Sequence, residues 1–156
     1  MIYQVINVIK KILVAHDGSE PAAKALNFAL ELAEKCSAEV QIISVVPTID
    51  MLMPRFTPES PPENFYKPLI DKMSDRFKEV LSEALKSAER TKPTVKISTR
   101  LLEGRPAYKI VQTAEEDGFD LIVMGSRGLS GVGELVLGSV SDKVADTARC
   151  PVLIVK

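Results

Sequence analysis

Residues 121–128 read Leu121, Ile122, Val123, Met124, Gly125, Ser126, Arg127, Gly128; after nine further residues the chain continues Gly138, Ser139, Val140, Ser141. Four consecutive aliphatic residues suit a strand buried on both faces, and such a strand belongs in a parallel sheet covered by helices. The glycines at its carboxyl end let backbone come close to a ligand. Gly138, Ser139, Val140 and Ser141 open a helix, where free amide protons and the helix dipole favour an anion. Strand, glycine turn and helix start together invite phosphate.

Strand-like and helix-like segments alternate outward from that stretch, the pattern of βαβ units. Strands are expected at 12–16, 40–46, 95–102, 121–124 and 152–155. The first helix places Ala22, Ala25, Leu26, Ala29, Leu30 and Ala33 at helical spacing, with Ser19 as N-cap and Pro21 in its first turn. The second carries Leu69, Ile70, Met73, Phe77, Val80, Leu81, Ala84, Leu85 and Ala88 toward the core. A third opens near Pro106 and buries Ile110, Val111 and Ala114; a fourth opens near Gly138 and buries Val140, Val144, Ala145 and Ala148. Crossovers are right-handed, so helices cover both faces only if the strand order reverses once. The expected fold is α/β: an open five-stranded parallel sheet of order 3-2-1-4-5, Rossmann-like, with helices on both faces. Strands one and four are then neighbours, and their carboxyl ends, bearing Asp17 and Gly125, flank one cleft where ligands of such sheets bind.

At 156 residues the chain suits a single domain, 1–156, with an adequate core. A formal net charge of -1 provides no basic field, which disfavours nucleic acid as a partner. Cys36 and Cys150 are too few for a disulfide framework and have no zinc-ligand spacing; they read as small buried hydrophobes in a reducing cytoplasm. The opening segment, residues 1–10, is apolar through Ile9, too short for a membrane span and without the flanks of a signal peptide. It reads as an extra strand or as an arm on the domain or on a partner chain. Residues 47–68 hold Pro47, Pro54, Pro58, Pro61, Pro62 and Pro68, and read as a long irregular loop: a lid, a contact surface or a floppy insertion.

No GxxxxGK[ST] loop and no GxGxxG fingerprint is present. The pattern GxxG, nine residues, GS, joined to Asp17, Gly18 and Ser19 after the first strand and to the ending 150–155, resembles the universal stress protein family. The resemblance spans residues 11–156, and the glycine pattern is that of the ATP-binding branch. It implies that Ala15 and Asp17 meet adenosine, Asp17 accepting from ribose hydroxyls, and that the backbone of Val45 recognises the adenine edge. It further implies that Met124, Gly125, Arg127 and Gly128 line the ribose and phosphate path and that Gly138, Ser139, Val140 and Ser141 hold the phosphates. ATP, with or without Mg²⁺, is the expected ligand, and a homodimer paired through the C-terminal strand is the expected assembly.

The residues taken singly admit plainer roles: glycine as turn former, Ser139 as N-cap, Asp17 as the start of a turn. Their joint spacing favours the ligand. His16 reads as a strand-end histidine satisfied by its neighbours rather than a general base. Arg127 serves equally as a phosphate counter-ion or as a solvated loop cation. No catalytic constellation or metal cluster stands out, so the expected function is a stress-response binding or switch module with at most weak ATPase activity. The alternatives are an enzyme of the related nucleotide-hydrolase superfamily that cleaves a phosphoanhydride, and a structural dimeric protein without ligand.

Overall fold

The computed structural model describes residues 8–52, 60–128 and 137–156. Its elements run β1 (Lys11–Ala15), α1 (Glu20–Cys36), β2 (Glu39–Val46), α2 (Ile49–Leu52), α3 (Glu63–Thr91), β3 (Ile97–Glu103), α4 (Pro106–Glu116), β4 (Leu121–Gly125), α5 (Ser139–Thr147) and β5 (Val152–Val155). The five strands form one parallel sheet of order β3-β2-β1-β4-β5. Ile12 pairs with Leu121 and Ala15 with Met124, so β1 and β4 are neighbours and the strand order reverses between them.

Alternating residues of each strand feed two cores, because successive side chains leave a sheet on opposite faces. Ile12, Val14, Val40, Ile42 and Val123 meet α1 and α3; Leu13, Ile43, Val45, Ile122 and Met124 meet α4 and α5. Full burial of each such aliphatic chain contributes roughly 1.5–3 kcal/mol relative to exposure. Helix α1 forms where its spacing predicts: Ser19 Oγ accepts from the Ala22 amide at 3.3 Å, and Ala22, Ala25, Leu26, Ala29, Leu30 and Ala33 are all buried. Its last turn is tied to α3 by Lys92, whose ammonium lies 2.9 Å from Glu31 and 2.6 Å from Glu34.

Four details differ from the sequence reading. The stretch 47–68 is not wholly irregular: α2 occupies part of it, and α3 starts at Glu63 with Pro68 inside the helix. Pro62 sits at the N-cap, where a missing amide costs nothing, and Pro68 forfeits one helical bond rather than stopping the helix. Leu69 is exposed although Tyr66, one turn earlier, is buried, so it lies at the outer margin of the buried face of α3. Ala145 is exposed as well, and Cys36 and Cys150 are half-buried at the margins of the two cores. Residues 1–7 of the opening segment and 53–59 of the proline-rich stretch, with Pro54 and Pro58, lie outside the described residues.

Candidate functional site

At the strand-order reversal the carboxyl edges of β1 and β4 open into a cavity of about 470 Å³. Its wall contains Ala15, Asp17, Val45, Met124, Gly125, Arg127, Gly128, Gly138, Ser139, Val140 and Ser141, all eleven positions singled out from the sequence. A groove of about 520 Å³ at the opposite edge has Lys11, Glu39 and Lys96 in its wall; these pair with one another at 3.9 and 2.7 Å.

The base of the cavity is apolar, formed by Ala15, Ile43, Val45, Ile110 and Met124. Main-chain geometry gives Val45 a second property. Ile43 C=O accepts from the His16 amide at 2.9 Å, so it faces β1, and in a strand Val45 faces the same way. Strand β1 has ended by then, its last paired residue Ala15 lying opposite Ile43. The peptide groups of Val45 therefore face the cleft with no strand partner there among the described residues, while Val46 C=O turns the other way to accept from Gly104.

The other wall is polar and electropositive. Helix α5 has Gly138 at its N-cap and no side-chain cap, which leaves its first amides without intrahelical partners. Gly138 itself does not contribute a free amide, contrary to the sequence reading: its N–H donates to Ser126 C=O at 2.8 Å. Ser141 is likewise engaged through its hydroxyl, which is buried and 2.9 Å from both Ser126 C=O and Gly138 C=O. That hydroxyl latches the helix start to the end of β4; the amides of Ser139, Val140 and Ser141 are what this turn offers an anion. Beside them Arg127 Nε is buried with no hydrogen-bond partner among the described residues. An orphaned charged donor is costly, and an anion would satisfy it.

The glycines divide their work in a way that spacing alone does not show. A Cβ on Gly125 would meet the Pro21 carbonyl carbon at 2.7 Å and the Ala22 nitrogen at 2.9 Å, so the bare backbone of this glycine is what admits the first turn of α1. A Cβ on Gly128 would lie 2.5 Å from Asp17 Oδ2. Asp17 Oδ1 accepts from the Ser19 amide at 2.9 Å, closing the turn between β1 and α1. His16 is buried, its Nδ1 accepting from the Gly18 amide at 3.1 Å. Burial lowers its pKa and outweighs the opposing pull of Asp17, so the ring is neutral at pH 7. The satisfied-histidine reading holds.

The sequence reading missed Met73 and Phe77 of α3, and Pro47 and Pro106, which complete the apolar rim. Met73 and Phe77 occupy successive positions of the i, i+4 row that continues outward through Leu69, and that periodicity was their signal.

An open parallel sheet with one reversal and a cleft at that point defines a Rossmann-like α/β domain. The model of the universal stress protein family matches residues 9–156, and the chain belongs to that family. It is 40% identical over 159 residues to universal stress protein YxiE of Bacillus subtilis (strain 168), across 96% of this chain and 100% of that one. A universal stress protein solved in complex with cAMP superposes with a TM-score of 0.65 at 26% identity, covering 94% of this chain and 96% of that one. The universal stress protein from Archaeoglobus fulgidus in complex with dAMP gives 0.63 at 26% identity, covering 96% and 99%.

Proposed function

We propose that this chain binds an adenine nucleotide, ATP foremost, in the cleft between β1 and β4 and acts as a dimeric binding or switch module. The observation that carries this reading is the buried, unpartnered Nε of Arg127 beside the uncapped start of α5. Both line the cavity whose wall also holds the apolar Ala15, Ile43, Ile110 and Met124 and, beside them, Val45. A phosphate group suits the former pair and a planar base suits the latter residues. The cAMP and dAMP complexes of similar proteins support the same class of ligand.

In this reading Asp17 accepts from ribose hydroxyls, Ala15 and Met124 pack against the nucleoside, and Gly125, Arg127 and Gly128 border the ribose and phosphate path. Ser139, Val140 and Ser141 give amides to phosphate oxygens, while Gly138 keeps the turn open. Mg²⁺ accompanying ATP would be held by the phosphates; among the described residues no three His, Cys, Asp or Glu side chains converge on a metal site. Any hydrolysis then relies on Arg127 and a positioned water and is slow.

The dimer would form through β5, whose apolar residues Val152, Leu153, Ile154 and Val155 are only half-buried at a sheet edge. Such an edge recruits another strand. No helix among the described residues is long and apolar enough to cross a membrane, and both cysteines are free thiols, which suits a cytoplasmic protein.

The test is calorimetric titration of the full chain with ATP, ADP, AMP and cAMP, alongside nucleotide analysis of freshly purified, denatured protein. Saturable binding of one or more supports the reading; no heat and no released nucleotide contradict it.

A further inference from the structure

We propose that His16 is a positioning residue for the cleft: its ring holds the turn that carries Asp17, and proton uptake by the ring releases that turn and weakens nucleotide binding. The inference rests on the nucleotide reading above.

The turn is held at two levels. Its main chain is tied to β2, since the His16 amide donates to Ile43 C=O at 2.9 Å and His16 C=O accepts from the Ser44 hydroxyl. Its tip is tied by two nested side-chain bonds, from the Gly18 amide to His16 Nδ1 and from the Ser19 amide to Asp17 Oδ1. Gly18 sits at a φ of 88° between them. Removing the first bond therefore loosens the segment on which the second is built.

The chemistry of imidazole makes the first bond conditional. A neutral ring that accepts at Nδ1 carries its proton on Nε2. The next proton must enter at Nδ1, after which two N–H donors face each other across 3.1 Å. The ring and Gly18 must then separate, and Asp17 moves with the turn. The charged group acting on the ring within its own turn is Asp17. From β2 the neighbours are Ile43 and Ser44, both uncharged, and from the end of β4 Arg127 shares the cavity wall. The residue is 8% exposed, so proton uptake is opposed by burial and occurs on the acid side of ordinary histidine.

Two variants separate this role from general stability. His16→Asn puts an amide oxygen near the position of Nδ1, able to accept from Gly18 as in an Asx turn, and does not titrate. His16→Val removes the acceptor. Titrating ATP by calorimetry at about pH 7.5 and about pH 5 should show the wild-type affinity falling about tenfold more than that of H16N, which experiences the same phosphate protonation. At the higher pH, H16V should bind about tenfold more weakly than either. In the free protein, the Gly18 amide resonance should follow the His16 titration and be exchange-protected in wild type and H16N. If H16V does not fold, the wild-type and H16N comparison decides. Equal pH dependence of those two, or a Gly18 amide indifferent to the His16 titration, overturns the inference. Failure of wild type to bind any nucleotide at either pH overturns the reading beneath it.

Discussion

Gly128 and Asp17 face each other so closely that a methyl group on the glycine would stand 2.5 Å from the aspartate Oδ2. The two come from turns after different strands, β1 and β4, and meet because those strands are neighbours in the sheet. The GxxG pattern is thus one side of a contact whose other side lies more than a hundred residues earlier.

Gly128→Ala should displace the Asp17 carboxylate, the far end of a flexible side chain, and leave the fold intact. Nucleotide affinity is expected to fall about tenfold, as for a lost hydrogen bond to a charged group, with the melting temperature nearly unchanged. Calorimetric titration and a thermal melt on the same sample check both halves.

Gly125→Ala should behave in the opposite way. Its new methyl group meets the backbone of Pro21 and Ala22, which cannot swing aside as a side chain can. A loss of about 1–3 kcal/mol of stability is expected, read from denaturant unfolding. An unchanged unfolding midpoint would show that α1 does not depend on this close approach.

Arg127→Met keeps much of the side chain's length and removes the guanidinium. Affinity for ATP should fall by about 1.5–3 kcal/mol, the range for a hydrogen bond to a charged group, and become less sensitive to salt. Since Arg127 Nε has no partner in the described structure, stability should hold or rise slightly. A strongly destabilised R127M would mean that the side chain serves the fold.

His16 gives the protein an acid-side stability dependence whose sign is determined. Its folded pKa lies below the ordinary 6.5, so between the two values the unfolded chain holds more protons. The stabilising contribution is complete above about pH 6.5 and is lost as pH falls through the folded value. Denaturant unfolding of wild type and H16N across that window should show a steeper acid loss in wild type.

The fold was legible where packing follows local period. All six apolar positions of α1 face the core, and β4 ends one residue beyond the aliphatic run that announces it. Legibility ended where length decides. Helix α3 has 29 residues, about 43 Å at helical rise, against about 26 Å for the eight residues of β2. A helix so much longer than the strands need not be covered along its whole length, and Met73 and Phe77 line the cavity while Leu69 is exposed. The proline density of 47–68 concealed the start of this helix, since a count of prolines does not tell an N-cap from an interior position. At the cleft, the family resemblance pointed to eleven positions that line one cavity but did not reveal their separate tasks. That Gly125 accommodates Pro21 and that the Gly138 amide is taken by Ser126 depend on contacts between distant segments.

In the proposed complex the start of α5 and Arg127 together receive the phosphate of an adenine nucleotide. The most direct measurement is the amide spectrum of isotopically labelled protein titrated with AMP and, separately, with adenosine. AMP should shift the amides of Ser139, Val140 and Ser141 and the Nε–H of Arg127, whereas adenosine should leave these four signals in place while moving that of Val45. Saturating AMP that shifts none of the four would contradict this placement.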